Sequence, residues 1–338
     1  MKASRTATIA LALGVLACSK GTDGGKPAAG GATGNKLVIA MIGKSSTNAV
    51  FLVARAGAEA AAKDLSVKDT LDISIMWLTP PQEDGEVQAQ RIRQAVNDGA
   101  NAILMSASDA GKVTGAINDA VDRGVPVMMF DSDAPQSKRF AFYGADDAKV
   151  GEQTMAELAT AMGGKGKVAI LAGNQNAPNL QHRAQGAKDE AAKHGMQVVG
   201  VFNHIESPQD AAAEVIRANN AYPDIQGWAM IGGWPLFSQA LLTDAHTATL
   251  KIVSVDAMPE ELAYVDKGVV PVLLAQPVFK WGEVGVQTIV DKIHYKKDPA
   301  QPIMIMDLVR VTKANLGEWA RQLKAWGIPG VDEKYLKM

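Results

Sequence analysis

Residues 37–65 read LVIAMIGKSSTNAVFLVARAGAEAAAKDL. Leu37–Ile42 is a continuous apolar run of strand length. A loop of Gly, Lys, Ser, Thr and Asn follows, and Ala49–Leu65 then reads as an alanine-rich helix. Further along come a β-rich run at Leu71–Leu78, a helix over 86–98 closed by Gly99, and a buried strand at Ala102–Met105. A helix over 110–122 ends at Gly124, and Val125–Phe130 is the next strand. Short apolar strands alternating with helices of a dozen or so residues predict parallel βαβ units.

The plan restarts at Val168–Leu171, with the loop Ala172–Asn179, a helix over 180–194 closed by Gly195, and a strand at Gln197–Phe202. Helix 208–220, strand Gly227–Ile231, helix 235–245 and strand Leu250–Val255 continue it. The likeness reaches the sequence: Ala54-Arg55-Ala56-Gly57-Ala58-Glu59 against Arg183-Ala184-Gln185-Gly186-Ala187-Lys188. The expected fold class is α/β, as two Rossmann-like lobes, each a parallel sheet flanked by helices. A single large doubly wound sheet is the alternative.

Length and composition agree. At 338 residues the chain is about two domains long. Apolar residues are 47% and charged residues 21%, as in ordinary globular proteins. A net charge of −2 gives no support for a nucleic-acid partner. The single cysteine rules out an intrachain disulfide and a Cys₄ or Cys₂His₂ zinc site, and five scattered histidines offer no metal centre. No metal and no cofactor are expected.

The first residues carry an address. Lys2 and Arg5 form a positive region, and Thr6–Ala17 is apolar but too short to span a bilayer. This is the pattern of a signal peptide over 1–17. It ends in Val15-Leu16-Ala17-Cys18, which resembles a bacterial lipobox with Cys18 as the lipid attachment site. The alternative is a buried cysteine in an N-terminal helix. Residues 18–35 are rich in Gly, Ala, Ser and Thr, the composition of a flexible tether. Ordered structure is expected from Lys36.

In open α/β sheets, ligands bind beyond the carboxyl ends of the strands. Asp131, Ser132 and Asp133 follow Val125–Phe130; Asp256 follows Ile252–Val255; Gln276 follows Val270–Ala275. Asn48 and Phe51 lie in and after the first loop. Asn174, Asn176 and Asn179 crowd the matching loop of the second half, with Arg183 one turn into its helix. Gly232 and Gly233 precede Trp234 and leave space beside it. Carboxylate, amide and guanidinium groups suit a neutral polyhydroxyl ligand, because each hydroxyl both donates and accepts. An aromatic ring covers the C–H face of a sugar. An aspartate at any one strand end is equally well a helix cap or turn residue; it is the set that points to a site. The remaining tryptophans read as packing, with Trp77 open.

No catalytic apparatus is signalled. There is no Gly-x-Ser-x-Gly elbow, MGGKGKVA at 162–169 lacks the spacing of a P-loop, and no Gly-x-Gly-x-x-Gly opens the first helix.

The stretches LVIAMIGKSSTNAVF, GVPVMMFDSDAP, YGADD, QHRAQGAKDE, AYPDIQG, KIVSVDAMPE and LLAQPVFKWG occur in that order. Together they resemble the ribose/galactose-type periplasmic sugar-binding proteins, the substrate receptors of bacterial ABC importers. The resemblance runs from Lys36 to about Lys313. It implies a type I binding-protein fold with a three-crossing hinge near Ala145, Gln276 and Asp307. The N-terminal lobe is then 36–145 plus 277–307, and the C-terminal lobe 146–276 plus 308–338. It implies ligand contacts at Asn48, Phe51, Asp131, Arg183, Asp256 and Gln276. Ribose receptors carry an arginine where this chain has Ser132, so the pocket is not a copy of theirs. The expected protein is a monomeric, lipid-anchored receptor, not an enzyme, working with an ABC permease at the periplasmic membrane or cell surface. A chemotaxis or signalling sensor of the same fold, and an exported α/β enzyme acting on sugars, are the alternatives.

Overall fold

A computed structural model describes residues 35–338 except Ala245. The expected signal peptide, Cys18 and all of the expected tether but Asn35 lie outside the described residues.

Among the described residues, twelve strands form two six-stranded sheets. Strands β1 (Lys36–Ile42), β2 (Asp72–Trp77), β3 (Ala102–Met105), β4 (Val127–Phe130) and β5 (Ala141–Gly144) build the first. Strands β6 (Lys167–Ala172), β7 (Gln197–Asn203), β8 (Gly227–Met230), β9 (Lys251–Val255) and β10 (Val272–Ala275) build the second. Two short strands complete them, β11 (Ile303–Ile305) and β12 (Val309–Val311). The first sheet runs β11-β5-β4-β3-β1-β2, and every pairing in it is parallel. The second runs β12-β10-β9-β8-β6-β7, parallel except for β12. Two sheets, not one continuous doubly wound sheet, are present. In each the order reverses beside the opening strand, so a crevice opens between β1 and β3 and again between β6 and β8.

Helices α1 (Ala49–Asp69), α2 (Gly85–Asn97), α3 (Ala110–Asp122) and α4 (Asp147–Met162) accompany the first sheet and the passage to the second. They start where a side chain can take up free backbone N–H groups: Asn48, Asp84, Asp109 and Asp146 are the four N-caps. Next come α5 (Pro178–Lys193), α6 (Pro208–Ala221), α7 (Ala240–Thr243), α8 (Leu262–Asp266), α9 (Phe279–Ile293), α10 (Leu316–Ala325) and α11 (Glu333–Leu336). The helix expected over 235–245 is instead a 3₁₀ turn at Trp234–Phe237, a break at extended Ser238, and the four residues of α7. Pro235 supports only the first turn of this stretch.

The shared glycine of the internal repeat has a physical reason. A Cβ on Gly186 would lie 2.1 Å from the Ala148 carbonyl oxygen, and one on Gly151 would lie 1.9 Å from that of Arg183. Helices α4 and α5 therefore cross backbone to backbone. Gly57 and Gly282 do the same for α1 and α9, at 2.0 Å from the Phe279 oxygen and 1.9 Å from the Ala54 oxygen. Each half thus has one glycine-clamped helix pair beside the crossovers, and one of them fixes the backbone of Arg183.

The C-terminal helices return to the second sheet, where Trp319 Nε1 donates to the Ala257 carbonyl at 2.7 Å. Trp326 stacks on Phe279 at 5.6 Å, tying this end to α9. Trp228 and Trp281 are buried, as packing residues should be.

Candidate ligand-binding cleft

The two sheets present their carboxyl ends to one another, so the residues following each strand meet. Asp131 after β4 and Asp256 after β9 sit at matching places, and each has a left-handed backbone, with φ of 57° and 76°. Each amide donates to the neighbouring strand, Asp131 to the Tyr143 carbonyl at 3.1 Å and Asp256 to that of Leu274 at 3.0 Å. This backbone is uncommon for a side chain larger than glycine, and strain of this kind clusters at ligand sites.

A polar network joins the two halves. Asp131 accepts from Ser106 Oγ at 2.7 Å and, across the cleft, from Asn179 Nδ2 at 3.1 Å. Arg183 donates to Asp147 at 2.8 Å, to the Ile231 carbonyl at 3.2 Å and to Gln276 Oε1 at 2.9 Å. Asp256 accepts from Gln276 Nε2 at 2.8 Å and from the Gly233 N–H at 3.2 Å. Asp131, Asn179, Arg183, Asp256 and Gln276 are all buried.

Burial works against the Arg183 cation, yet Asp147, Asp131 and Asp256 outweigh it and hold its pKa above the ordinary value. Burial pushes the carboxyls of Asp147 and Asp256 up, with Arg183 pulling the other way. One guanidinium does not fully offset the burial of Asp147 and Asp256. Such a site gains from a ligand whose hydroxyls donate to the carboxylates.

Five of the sequence-predicted residues therefore converge. Asn48 caps α1, its Oδ1 accepting from Val50 N at 3.2 Å. Phe51 packs with Phe130 and Trp281 at centroid distances of 6.3 and 6.2 Å. Ser132 is buried beside Asp131, and its Oγ has no hydrogen-bond partner. Asp133 is held by Arg139 in a two-pronged ion pair, at 2.5 and 2.6 Å. Trp234 occupies the space the glycines open: a Cβ on Gly232 would lie 2.3 Å from its ring, and His204 meets it edge-on at 5.1 Å.

A second cluster escaped the sequence reading. Lys44 after β1 is 3% exposed and lies 3.5 Å from Glu83, after β2, and 3.9 Å from Glu206, after β7 on the other half. Burial alone would lower the Lys44 pKa, but Glu206, Glu83 and Asp131 reverse this and raise it. Burial and the neighbouring Glu206 push Glu83 well above the carboxylate range. Burial also acts against ionised Glu206, but Lys44 and a hydrogen bond from Glu83 bring its pKa down. The proton is therefore favoured on Glu83 and disfavoured on Glu206. Asn174 adds a further link, from Nδ2 to Glu83 Oε2 at 3.1 Å and from its N–H to Glu206 Oε1 at 3.0 Å. Each of these residues follows a strand, so the rule that found Asp131 also reaches them.

Two similar α/β lobes thus enclose a buried polar cleft at their strand ends. Residues 39–297 match the periplasmic binding protein domain, and the chain belongs to that family. It is 23% identical to the ribose import binding protein of Bacillus subtilis over 267 residues, which cover 78% of this chain and 85% of the relative. It is also 23% identical to a xylitol-binding protein of Mycolicibacterium smegmatis over 200 residues, 58% of this chain and 57% of that one. In fold it is similar to an ABC transporter solute-binding protein from Burkholderia graminis, solved in complex with D-arabinose. The TM-score is 0.76 at 24% identity, covering 82% of this chain and 96% of that chain. Among the described residues no helix is long and apolar enough to cross a membrane, and no group of three or more His, Cys, Asp or Glu could hold a metal ion.

Proposed function

We propose that the protein is a lipid-anchored extracytoplasmic receptor that binds a monosaccharide or related polyol between two closing lobes and delivers it to an ABC permease. The observation that carries this reading is the matched pair Asp131 and Asp256, one from each sheet, with Asn179 bonded to the first and Gln276, itself held by Arg183, bonded to the second. The lobes are 36–145 plus 277–307 and 146–276 plus 308–338. The chain crosses between them near Ala145, Gln276 and Asp307, and rotation there opens and closes the cleft. Sugar favours the closed form because Asp131 and Arg183 bind it from opposite sides; only such differential affinity shifts the equilibrium. Lys44 is a further contact, a cation set between Glu83 at 3.5 Å and Glu206 at 3.9 Å. An analogue lacking one hydroxyl leaves a buried carboxylate unpaired, which sets specificity. Cleavage before Cys18 and lipidation there supply the anchor. The family's sugar-binding relatives support the ligand class.

The test is a thermal-shift screen of the mature protein against pentoses, hexoses and polyols, followed by calorimetry. One of them should raise the melting point in proportion to the logarithm of its concentration. A flat response to the whole set would refute sugar binding.

A further inference from the structure

The lobes already touch in this structure, through Asn179 to Asp131 and Asn174 to Glu83. Even so, about 1000 Å³ of space remains between them. It lies outside the Lys44–Glu83–Glu206 cluster, with Glu83 and Glu206 in its wall and Asp131, Arg183 and Asp256 absent from it. Both lobes contribute hydroxyl and amide groups to its walls, among them Thr47, Gln82, Gln175 and Asn176. Most of its carboxylates are already engaged. Asp84 and Asp109 cap α2 and α3, Asp210 accepts from Ser207, and Glu86 pairs with Lys112. Besides Glu83 Oε1 and Glu206 Oε2, two polar atoms of wall residues are buried without a hydrogen-bond partner, Ser108 Oγ and His204 Nε2. Ser108 is 1% exposed. Leaving such groups unpaired in the interior is costly, and each is a ready partner for a ligand hydroxyl.

We propose that this cavity is a second subsite, and that the full ligand carries another hydroxylated ring, as a disaccharide or glycoside does. This rests on the inner cleft holding a sugar, and extends it. The inner ring lies among Asp131, Arg183 and Asp256, and the linkage passes the Lys44–Glu83–Glu206 cluster. The outer ring hydroxyls pair with Ser108 and His204. A monosaccharide fills the first subsite only. Closure that leaves so much space beyond it, with hydroxyl and amide groups from both lobes in its walls, fits a longer ligand, and charges engaged with one another favour a neutral one.

The experiment is calorimetry on the mature protein with matched probes: D-xylose against xylobiose, D-glucose against maltose and cellobiose, D-galactose against lactose. At least one disaccharide should bind tenfold or more tightly than its monosaccharide. Q82W, a substitution at an exposed wall position, should abolish that advantage and leave monosaccharide affinity unchanged. S108A should reduce the advantage severalfold without lowering the melting point. Monosaccharide binding with equal or weaker disaccharide binding would overturn the second subsite and leave the inner one standing. So would a disaccharide advantage untouched by Q82W. Silence from every probe would overturn both.

Discussion

Glu83 comes from one proposed lobe and Glu206 from the other, so under the proposed closure the proton favoured on Glu83 belongs to the closed form. In the open form Glu83 is an ordinary carboxyl, with a pKa of about 4.3. Closure raises it well above that value, through burial and the approach of Glu206. The sign follows. Between the open-state and closed-state values the closed form binds one more proton, so closure is favoured at low pH and disfavoured as pH rises. Glu206 is ionised throughout this window and contributes nothing. Burial pulls the nearby His204 down, so it stays neutral through the upper part of the window. One proton taken up on closure lowers affinity by up to about tenfold per pH unit, or ~1.4 kcal/mol. From pH 6 to pH 8 that is at most about a hundredfold. E83Q donates the same hydrogen bond from an amide at any pH, so its affinity should be flat over this range and higher than wild type at pH 8. Calorimetry in two buffers of different ionisation enthalpy measures the proton directly. Wild type should take up close to one proton per ligand bound, and E83Q none. Equal proton uptake by the two proteins, or none in wild type, would refute the proton-sharing latch.

Asp256→Gly relieves a left-handed backbone, worth roughly 1–3 kcal/mol, and orphans Gln276 Nε2 and the Gly233 N–H at a similar cost. Chemical denaturation should find little net change in stability, while calorimetry shows sugar affinity falling about tenfold or more; unchanged affinity would remove Asp256 from the site. Gly186→Ala drives a Cβ into the Ala148 carbonyl and should cost about 1–3 kcal/mol. Arg183, one turn away, shifts with α5 and affinity falls too. Gly115→Ala, in open space on α3, should gain about 0.5–1 kcal/mol. Melting points moving in the same direction for both alanines would contradict the close helix crossing.

Much of this was legible beforehand because period and punctuation are local. Ala102–Met105 and Ala110–Asp122 appear where their apolar patterns place them. Asp131, Arg183, Asp256 and Gln276 converge because strand ends in parallel sheets share one edge. What was missed depends on partners distant in the chain. A lone Lys44, Glu83 or Glu206 in a polar loop looks like a solvated charge, and only the meeting of β1, β2 and β7 ends makes it a buried cluster. Trp234 differs again. The glycines beside it do open space, but the indole itself fills it. The break at Ser238 was hidden because Pro235 is compatible with a helix start, and nothing local marks so early a stop.

The placement of β11 has a consequence for synthesis on the ribosome. Five strands of the first sheet are complete by Gly144, but the sixth, Ile303–Ile305, emerges only after all of β6 to β10. Until then the β5 edge, Ala141–Gly144, has unpaired backbone groups on one side. An open edge of this kind templates pairing with other chains. For a nascent polypeptide bound for export, delay before folding is therefore protective, and the last third of the chain acts as the seal for the first.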